Sequence, residues 1–144
     1  MADFVFNIAK GAVAEKVRDG ATGLGILLIK TAESDAAMKD RITLTDLLGG
    51  NTEANFTNYA RKSGITGTVT VDQANDRVDV DMPDQTWTSA GGGTNNTLAK
   101  LVIYFDEGGT DGTRIPLTGH DFVVTTDGSD LVAQIATSGF FRAS

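Results

Sequence analysis

The stretches Thr68-Val69-Thr70-Val71 and Val78-Asp79-Val80-Asp81-Met82 decide the fold class of this 144-residue chain. Polar and apolar residues alternate in both, as in strands that bury one face. The residues between them, Asp72-Gln73-Ala74-Asn75-Asp76, are mostly turn formers. The sequence therefore predicts an antiparallel β-hairpin whose shared apolar face comprises Val69, Val71, Val78, Val80 and Met82.

Strand signals continue on both sides of this hairpin. Gly25–Lys30 is a short apolar run bounded by glycines, which indicates a strand buried on both faces, and Leu98–Phe105 is the most apolar segment of the chain. Further strands are predicted at Phe4–Ile8, Thr57–Lys62, Thr86–Thr88, Arg114–Leu117, Asp121–Thr126, Leu131–Ile135 and Phe140-Phe141. Many short strands joined by frequent turns predict an all-β fold, a single-domain antiparallel β-sandwich or barrel.

Glycine and proline mark the connections. The chain has 17 glycines and 2 prolines, and glycine supplies the positive-φ positions that tight turns need. Pro83 lacks an amide hydrogen, so the second hairpin strand should end there or run along an edge. Gly91–Thr97 has no apolar residue and predicts an exposed, mobile loop. A turn around Gly119 is expected to separate the two strands on either side of it.

Two short helices are predicted among the strands. Ser34 precedes an Asp35-containing first turn, and Thr45 precedes Asp46-Leu47-Leu48 before Gly49-Gly50 stops the helix. Helices of one or two turns persist only when tertiary packing holds them, so both are expected to be connectors.

The chain is expected to form one domain, residues 1–144, because it shows neither a linker nor an internal repeat. Residues 1–11 are a candidate N-terminal docking arm or strand, and residues 139–144 a candidate C-terminal docking segment. No basic segment followed by a long apolar run begins the chain, and no run approaches the roughly 18 apolar residues of a membrane span. We therefore expect a soluble protein without a signal peptide or membrane partner.

Charge argues against nucleic-acid binding. The net charge is −7, and residues 63–144 carry eleven acidic side chains against four basic ones. Because affinity for nucleic acids rests mainly on cations, an acidic surface repels the phosphate backbone. The chain also lacks cysteine, which excludes disulfides and thiolate metal sites.

No catalytic constellation is predicted. His120 is the single histidine, and adjacent strand residues point to opposite faces, so His120-Asp121 cannot supply the geometry of a hydrolytic triad within one strand. The glycine-rich runs are not followed by the lysine and helix of a phosphate-binding loop, so no cofactor is expected. A small hydrolase or lyase using His120 and a nearby carboxylate remains an alternative.

The best metal candidate is an acidic cluster around the predicted hairpin. Its members lack the glycine and glutamate spacing of a calcium loop, so no metal site is predicted. We interpret the cluster as a solvated sheet edge whose like charges discourage edge-to-edge pairing, with a calcium-stabilised module as the alternative. The cluster comprises Asp72, Asp76, Asp79, Asp81 and Asp84.

Aromatic side chains offer a third possible site. Trp87 with Tyr59 and Tyr104 could form a platform on which sugar rings stack. A lone tryptophan in a β-domain is more often part of the core, so core packing is the preferred interpretation.

Several motifs are spread over nearly the whole chain. The most specific are Pro83-Asp84-Gln85-Thr86-Trp87 and Gly139-Phe140-Phe141-Arg142. The others are Asp3–Gly11, Asn58-Tyr59-Ala60-Arg61-Lys62, Asn75-Asp76-Arg77, Lys100–Asp106 and Pro116–Phe122. Together, and in the same order, these motifs resemble a family of minor capsid, decoration or virion structural proteins from phages of actinobacteria.

The resemblance implies a non-enzymatic protein on the capsid exterior of a virion, made in the cytoplasm of the host bacterium. Its implied partners are the major capsid protein and further copies of itself, for which a trimer at threefold positions is a natural arrangement. A minor tail or fibre component that binds host glycans is the alternative.

Apolar residues at both ends of the chain are the candidate docking residues. We expect deletion of residues 140–144 to abolish particle binding while leaving a folded domain; unfolding would instead place the phenylalanines in the core. The candidates are Phe4, Phe6, Ile8, Phe140 and Phe141.

Overall fold

A computed structural model describes residues 3–9 and 23–143 and confirms the all-β fold class. These residues form antiparallel strands and two short helices. The strands are β1 (Phe4–Val5), β2 (Leu24–Thr31), β3 (Thr52–Glu53), β4 (Lys62–Ile65), β5 (Thr68–Asp72), β6 (Arg77–Asp81), β7 (Gln85–Trp87), β8 (Lys100–Phe105), β9 (Ile115–Asp121), β10 (Leu131–Ala133) and β11 (Phe141–Ala143). The helices are α1 (Asp35–Met38) and α2 (Leu44–Gly50).

The largest sheet has the strand order β1-β9-β8-β2-β3, and β4 also pairs with β2. Its two central strands pair from Leu24 opposite Phe105 to Ile29 opposite Lys100. Nearly every side chain in them is buried, which was predicted for β2 from its apolar run. Each buried leucine or isoleucine stabilises the fold by about 1.5–3 kcal/mol relative to an exposed one, so this strand pair is the centre of the core.

Two smaller sheets, β11-β6-β5 and β10-β7, pack against the same hydrophobic core. Among the described residues the three sheets do not close into a barrel. The predicted hairpin is confirmed as β5 and β6, with Val69 opposite Val80 and Val71 opposite Val78. Its apolar face is only partly covered, because Val80 is buried whereas Val71 is 64% exposed.

The predicted turn at Gly119 is wrong, because β9 runs through this residue without interruption. Gly119 lies opposite Phe4 on β1, and a β-carbon there would come to 2.5 Å from Cζ of the Phe4 ring. The glycine therefore serves close packing against an aromatic ring rather than a chain reversal.

Helix α1 begins after Ser34 as predicted, but the start predicted for α2 was two residues late. Thr43, not Thr45, is the N-cap of α2: its hydroxyl accepts from the Asp46 amide at 3.2 Å. The Asp46 carboxylate in turn accepts from the Ile42 amide at 3.1 Å. These two hydrogen bonds fix the start of the helix, which then runs through both glycines.

Residues 57–61 form a turn followed by irregular backbone rather than the predicted strand. The Tyr59 amide donates to the Phe56 carbonyl at 3.0 Å, and Asn58 has a φ of 68°. The strand begins only at Lys62. This turn brings the side chains of Tyr59 and Arg61 back toward the main sheet.

The loop at residues 91–97 is exposed along most of its length, as predicted, but hydrogen bonds hold its backbone. The Gly91 amide donates to Thr57 at 2.9 Å, and the Thr94 carbonyl accepts from the Thr57 amide at 3.0 Å. Asn96 accepts through its carbonyl from the Thr126 amide at 2.9 Å. The loop is thus joined to two other segments.

The interpretation of Asp79 and Asp81 as charges that protect a sheet edge is wrong. Both lie on β6, the central strand of its sheet, while β5 and β11 are the outer strands. Asp79 is paired with Arg142 at 2.6 Å and with Arg77 at 3.1 Å. Asp79 therefore helps to hold the hairpin sheet together through its pair with Arg142 on β11.

No helix among the described residues is long and apolar enough to cross a membrane.

Candidate functional site

A hollow of about 230 Å³ lies where the two ends of the described chain meet. Its floor and walls come from the end of β9, from β8 and from the segment between β10 and β11, and Asp3 stands at its rim. The Asp84 carboxylate accepts from the Ile135 amide at 2.7 Å and ties this segment to the region after β6. The lining residues are Asp3, Leu101, His120, Asp121, Phe122, 133–136, Gly139 and Phe140.

The predicted docking residues at the N-terminus divide between core and surface. Phe4 and Phe6 are buried in the chain's own core, with their rings edge to face at 5.3 Å. Ile8 is 37% exposed. In this conformation the two phenylalanines therefore present no apolar surface to a partner, and Ile8 alone of the three does.

The C-terminal pair divides in the same way. Phe140 is buried and forms part of the hollow, and its amide donates to the Val80 carbonyl at 2.9 Å. Phe141 is half-buried and lies opposite Val80 on β6. Both phenylalanines pack within the domain, which is the core alternative that the sequence left open.

His120 stands at the hollow within a chain of three polar side chains. Its Nδ1 lies 3.1 Å from Oδ2 of Asp3, and its Nε2 lies 2.9 Å from the Thr118 hydroxyl. The order acid, imidazole and hydroxyl is that of a hydrolytic triad. The hydroxyl, however, belongs to Thr118, which is 1% exposed and does not line the hollow. A substrate carbonyl in the hollow therefore cannot reach this hydroxyl.

The Asp3–His120 pair was missed by sequence reasoning. It follows from the register of β1 and β9, which pairs Phe4 with Gly119 and so carries Asp3 toward His120. The two residues are far apart in the sequence, and no local pattern links them. Only the period-two spacing of Thr118 and His120 could have placed those two side chains on one face.

Lys100 is a buried cation behind the hollow. Its ammonium group lies 2.5 Å from Asp121 and 2.8 Å from Asp35, and its side chain is 8% exposed. Burial alone would lower the pKa of Lys100, but hydrogen bonds to Asp121 and Asp35 raise it above its usual value. Lys100 therefore stays charged and links β8, β9 and the first turn of α1.

A second ionic cluster holds the 106–114 loop against the main sheet. Arg61 binds Glu53 at 2.6 Å and Asp111 at 2.6 Å, and Arg114 binds Asp111 at 2.9 Å and Asp106 at 2.9 Å. Hydrogen bonds from Arg61 hold the pKa of Asp111 below its usual range. Charge-assisted, two-pronged pairs of this kind fix geometry, so the loop is positioned rigidly.

The aromatic platform proposed for sugar stacking is absent from the surface, and the core interpretation is confirmed. Trp87 is 2% exposed, and its indole nitrogen donates to the Ala60 carbonyl at 2.7 Å. Tyr104 is also buried, and burial raises the pKa of Tyr59, whose hydroxyl donates to Glu53 at 2.7 Å. Trp87 and Tyr104 therefore offer no ring face to a sugar, and Tyr59 alone is partly exposed.

The acidic cluster near the hairpin is occupied by internal contacts. Asp72 pairs with Arg77 at 3.3 Å, and the Asp81 carboxylate accepts from the Met82 amide at 2.8 Å. Across residues 3–9 and 23–143, no group of three or more acidic or histidine side chains is arranged to hold a metal ion.

No protein-family model matches the chain, and neither curated proteins nor solved structures show a match.

Proposed function

We propose that this chain is a structural virion protein of a tailed bacteriophage, a decoration or minor capsid protein that binds the outer surface of the major capsid protein shell. The observation that carries the proposal is the hollow at which Asp3 and the segment ending at Phe140 meet. Asp3 from the N-terminal segment and Gly139 and Phe140 from the C-terminal segment, the two segments predicted to dock because of their apolar content, line this one hollow.

The shape and charge of the hollow favour a basic side chain from the shell as its occupant. Its lining includes the apolar side chains of Leu101, Phe122 and Phe140 and the carboxylates of Asp3 and Asp121, of which Asp121 is also paired with Lys100. The aliphatic stem of a lysine or arginine suits such a floor, and its charged end suits an acidic rim. The Asp3 side chain is 66% exposed and is therefore open to a partner.

The cations of the chain itself also favour a protein partner. Every arginine in the described residues is paired with a carboxylate of the same chain, as Arg41 with Glu33 and Arg142 with Asp79 illustrate. With the arginines neutralised internally, the remaining surface charge is mainly acidic. Such a surface suits a basic patch on the shell and is unsuited to packaged nucleic acid.

The ionic clusters supply the rigidity that a shell-stabilising protein needs. They hold the 106–114 loop, α1 and the hairpin sheet in fixed positions relative to the core. A body whose loops are held in this way loses little conformational freedom on docking, so more of the interaction energy remains as affinity.

A reconstitution experiment tests the proposal. Purified chain is added to phage particles assembled without it, and binding is measured by co-sedimentation over a range of chain concentrations and of salt. We expect saturable binding at a stoichiometry comparable to that of the major capsid protein. Binding should weaken as salt rises, because the contact is partly electrostatic.

Charge reversal at the rim localises the contact. Asp3→Lys should weaken particle binding at least tenfold, whereas Glu107→Lys, an equal charge change at another exposed acid, should leave binding near that of the parent. Equal effects of the two substitutions would place the contact elsewhere. Failure of the parent chain to bind particles at all would contradict the decoration function itself.

A further inference from the structure

Among the residues that the structure describes, the outer edge of β5 pairs with no other strand. In the described residues β5 pairs only with β6, through five consecutive residue pairs without a bulge. The strand contains no proline and no lysine, and its only charge is Asp72 at one end. Proteins commonly block free edges with lysine, proline, bulges or inward charges, and β5 carries none of these devices.

The register shows which backbone groups of β5 point outward. The Val80 carbonyl accepts from the Phe140 amide at 2.9 Å, so the backbone of Val80 faces β11. Backbone groups of successive residues in an antiparallel strand point to opposite sides, so Asp79 faces β5 and its partner Thr70 faces β6. Val69 and Val71 are thus left with their amide and carbonyl groups directed to the open side.

We propose that β5 pairs with β5 of a second copy of this chain across a twofold axis, which makes one continuous six-stranded sheet from two hairpin sheets. With the axis at Thr70, Val69 lies opposite Val71 of the second copy. The two valine pairs then exchange four backbone hydrogen bonds, and the two Thr70 residues form the pair at the centre that has no backbone hydrogen bond.

Side chains and charge favour this self-pairing. The axis is perpendicular to the sheet, so it keeps the valines of both copies on one face, where the exposed Val71 gains an apolar neighbour. On the other face the two Thr70 side chains meet. Asp72 comes opposite Thr68 rather than another acid, so the pairing brings no like charges together. A strand of the shell protein would match this edge equally well only if it too placed an apolar side chain beside Val71 and no acid opposite Asp72.

This inference does not rest on the proposed function, because it concerns the isolated chain. It gives a twofold dimer, unlike the trimer that threefold capsid positions suggest. Neither copy in such a dimer has a further free β5 edge, so the interface closes on itself.

The first test is the mass of the isolated chain by sedimentation equilibrium. We expect the parent to have twice the 15.1 kDa of one chain. Val71→Pro removes an outward-pointing donor while leaving the β5–β6 hydrogen bonds intact, and it should return the mass to that of one chain. Val71→Thr keeps the donor and the β-branched shape, so it should remain a dimer.

The second test uses the absence of native cysteine. In the expected pairing the two residues at position 70 are in direct opposition, at a Cα separation of about 4.5 Å, within disulfide range. Thr70→Cys should therefore form a disulfide-linked dimer on mild oxidation, and Thr68→Cys, displaced from the axis on the same strand and face, should not. The comparison of the two cysteine variants tests the proposed β5 pairing even if Val71→Pro fails to fold.

A monomeric parent, a dimeric and folded Val71→Pro, or equal cross-linking of the two cysteine variants would each overturn the proposal. A monomeric parent whose Val71→Pro variant loses particle binding would also overturn it, since the edge would then take a strand of the shell. Particle binding by a strictly monomeric parent would leave the decoration function standing, so the two proposals can fail separately.

Discussion

The ring of Phe4 occupies the space in which Gly119 would carry a side chain. The two residues are cross-strand partners, and a β-carbon on the glycine would lie 2.5 Å from Cζ of the ring and 2.9–3.0 Å from its neighbouring carbons. The contact fastens the first strand of the chain to β9. It also carries Asp3 to the rim of the hollow, so packing at Gly119 and the geometry of the proposed contact surface are linked.

Gly119→Ala should destabilise the fold by about 1–3 kcal/mol, because the methyl group forces the buried ring out of its position. The matched control is Gly49→Ala in α2, where a β-carbon meets nothing within 4 Å. That change should be neutral or stabilising by up to about 1 kcal/mol, since alanine favours helix. Urea unfolding measures both, and equal free energies of unfolding would contradict the packing described for Phe4.

Removal of the C-terminal phenylalanines should affect folding before it affects docking. Phe140→Ala is expected to cost about 3–5 kcal/mol because the side chain is buried, whereas Phe141→Ala should cost clearly less because that ring is half-buried. Deletion of residues 140–144 removes β11 as well and should lower the thermal midpoint strongly. A deleted chain that melts like the parent would restore the view of this segment as a free docking element.

Lys100 and Asp121 should be energetically coupled. Lys100→Met and Asp121→Asn are each expected to destabilise the chain, because the first leaves the Asp121 carboxylate without its cation and the second leaves the buried ammonium group with Asp35 as its one remaining carboxylate. A double-mutant cycle should give a coupling free energy of about 1–2 kcal/mol. A coupling near zero would mean that the short contact contributes nothing to stability.

Stability should decline in acid through the ionic clusters. Hydrogen bonds from arginines lower the pKa of Asp106, Asp111 and Asp79 in the folded chain, so the unfolded chain binds protons more readily. The free energy of unfolding should therefore be nearly constant above about pH 5 and fall as the pH drops below about 4.

Asp111→Asn isolates one contribution to this acid sensitivity. It should lower stability at pH 7, where the charged form is paired with Arg61 and Arg114, and it should reduce the decline in acid. Urea midpoints at several pH values measure the slope. A slope identical to that of the parent would exclude Asp111 as a contributor.

Local patterns predicted the elements that depend on local chemistry. The alternation in β5 and β6, the apolar runs of β2 and β8 and the Ser34 cap were all confirmed. Gly119 was misread as a turn because sequence alone does not show that an aromatic ring from the other end of the chain lies against it. Thr43 was overlooked because Thr45 also lies just before the acidic turn that contains Asp46. Only the structure shows that the Thr43 hydroxyl is the one that accepts from the Asp46 amide.

The site depended on contacts that no local pattern encodes. Asp3 meets His120 only because β1 joins the far edge of the main sheet, and the hollow exists only because the segment before Phe140 folds back to it. The edge position of β5 likewise follows from the pairing of β11 with β6, which placed the acids of β6 in the middle of a sheet.

The copy number of the chain in purified phage particles, relative to the major capsid protein, tests the proposed decoration function most directly. Quantitative mass spectrometry should find it in numbers comparable to the capsid subunits, on the order of hundreds per particle if it occupies repeated positions on the shell. A few copies per particle would place it at the tail or a single vertex, and its absence from particles would contradict the virion role.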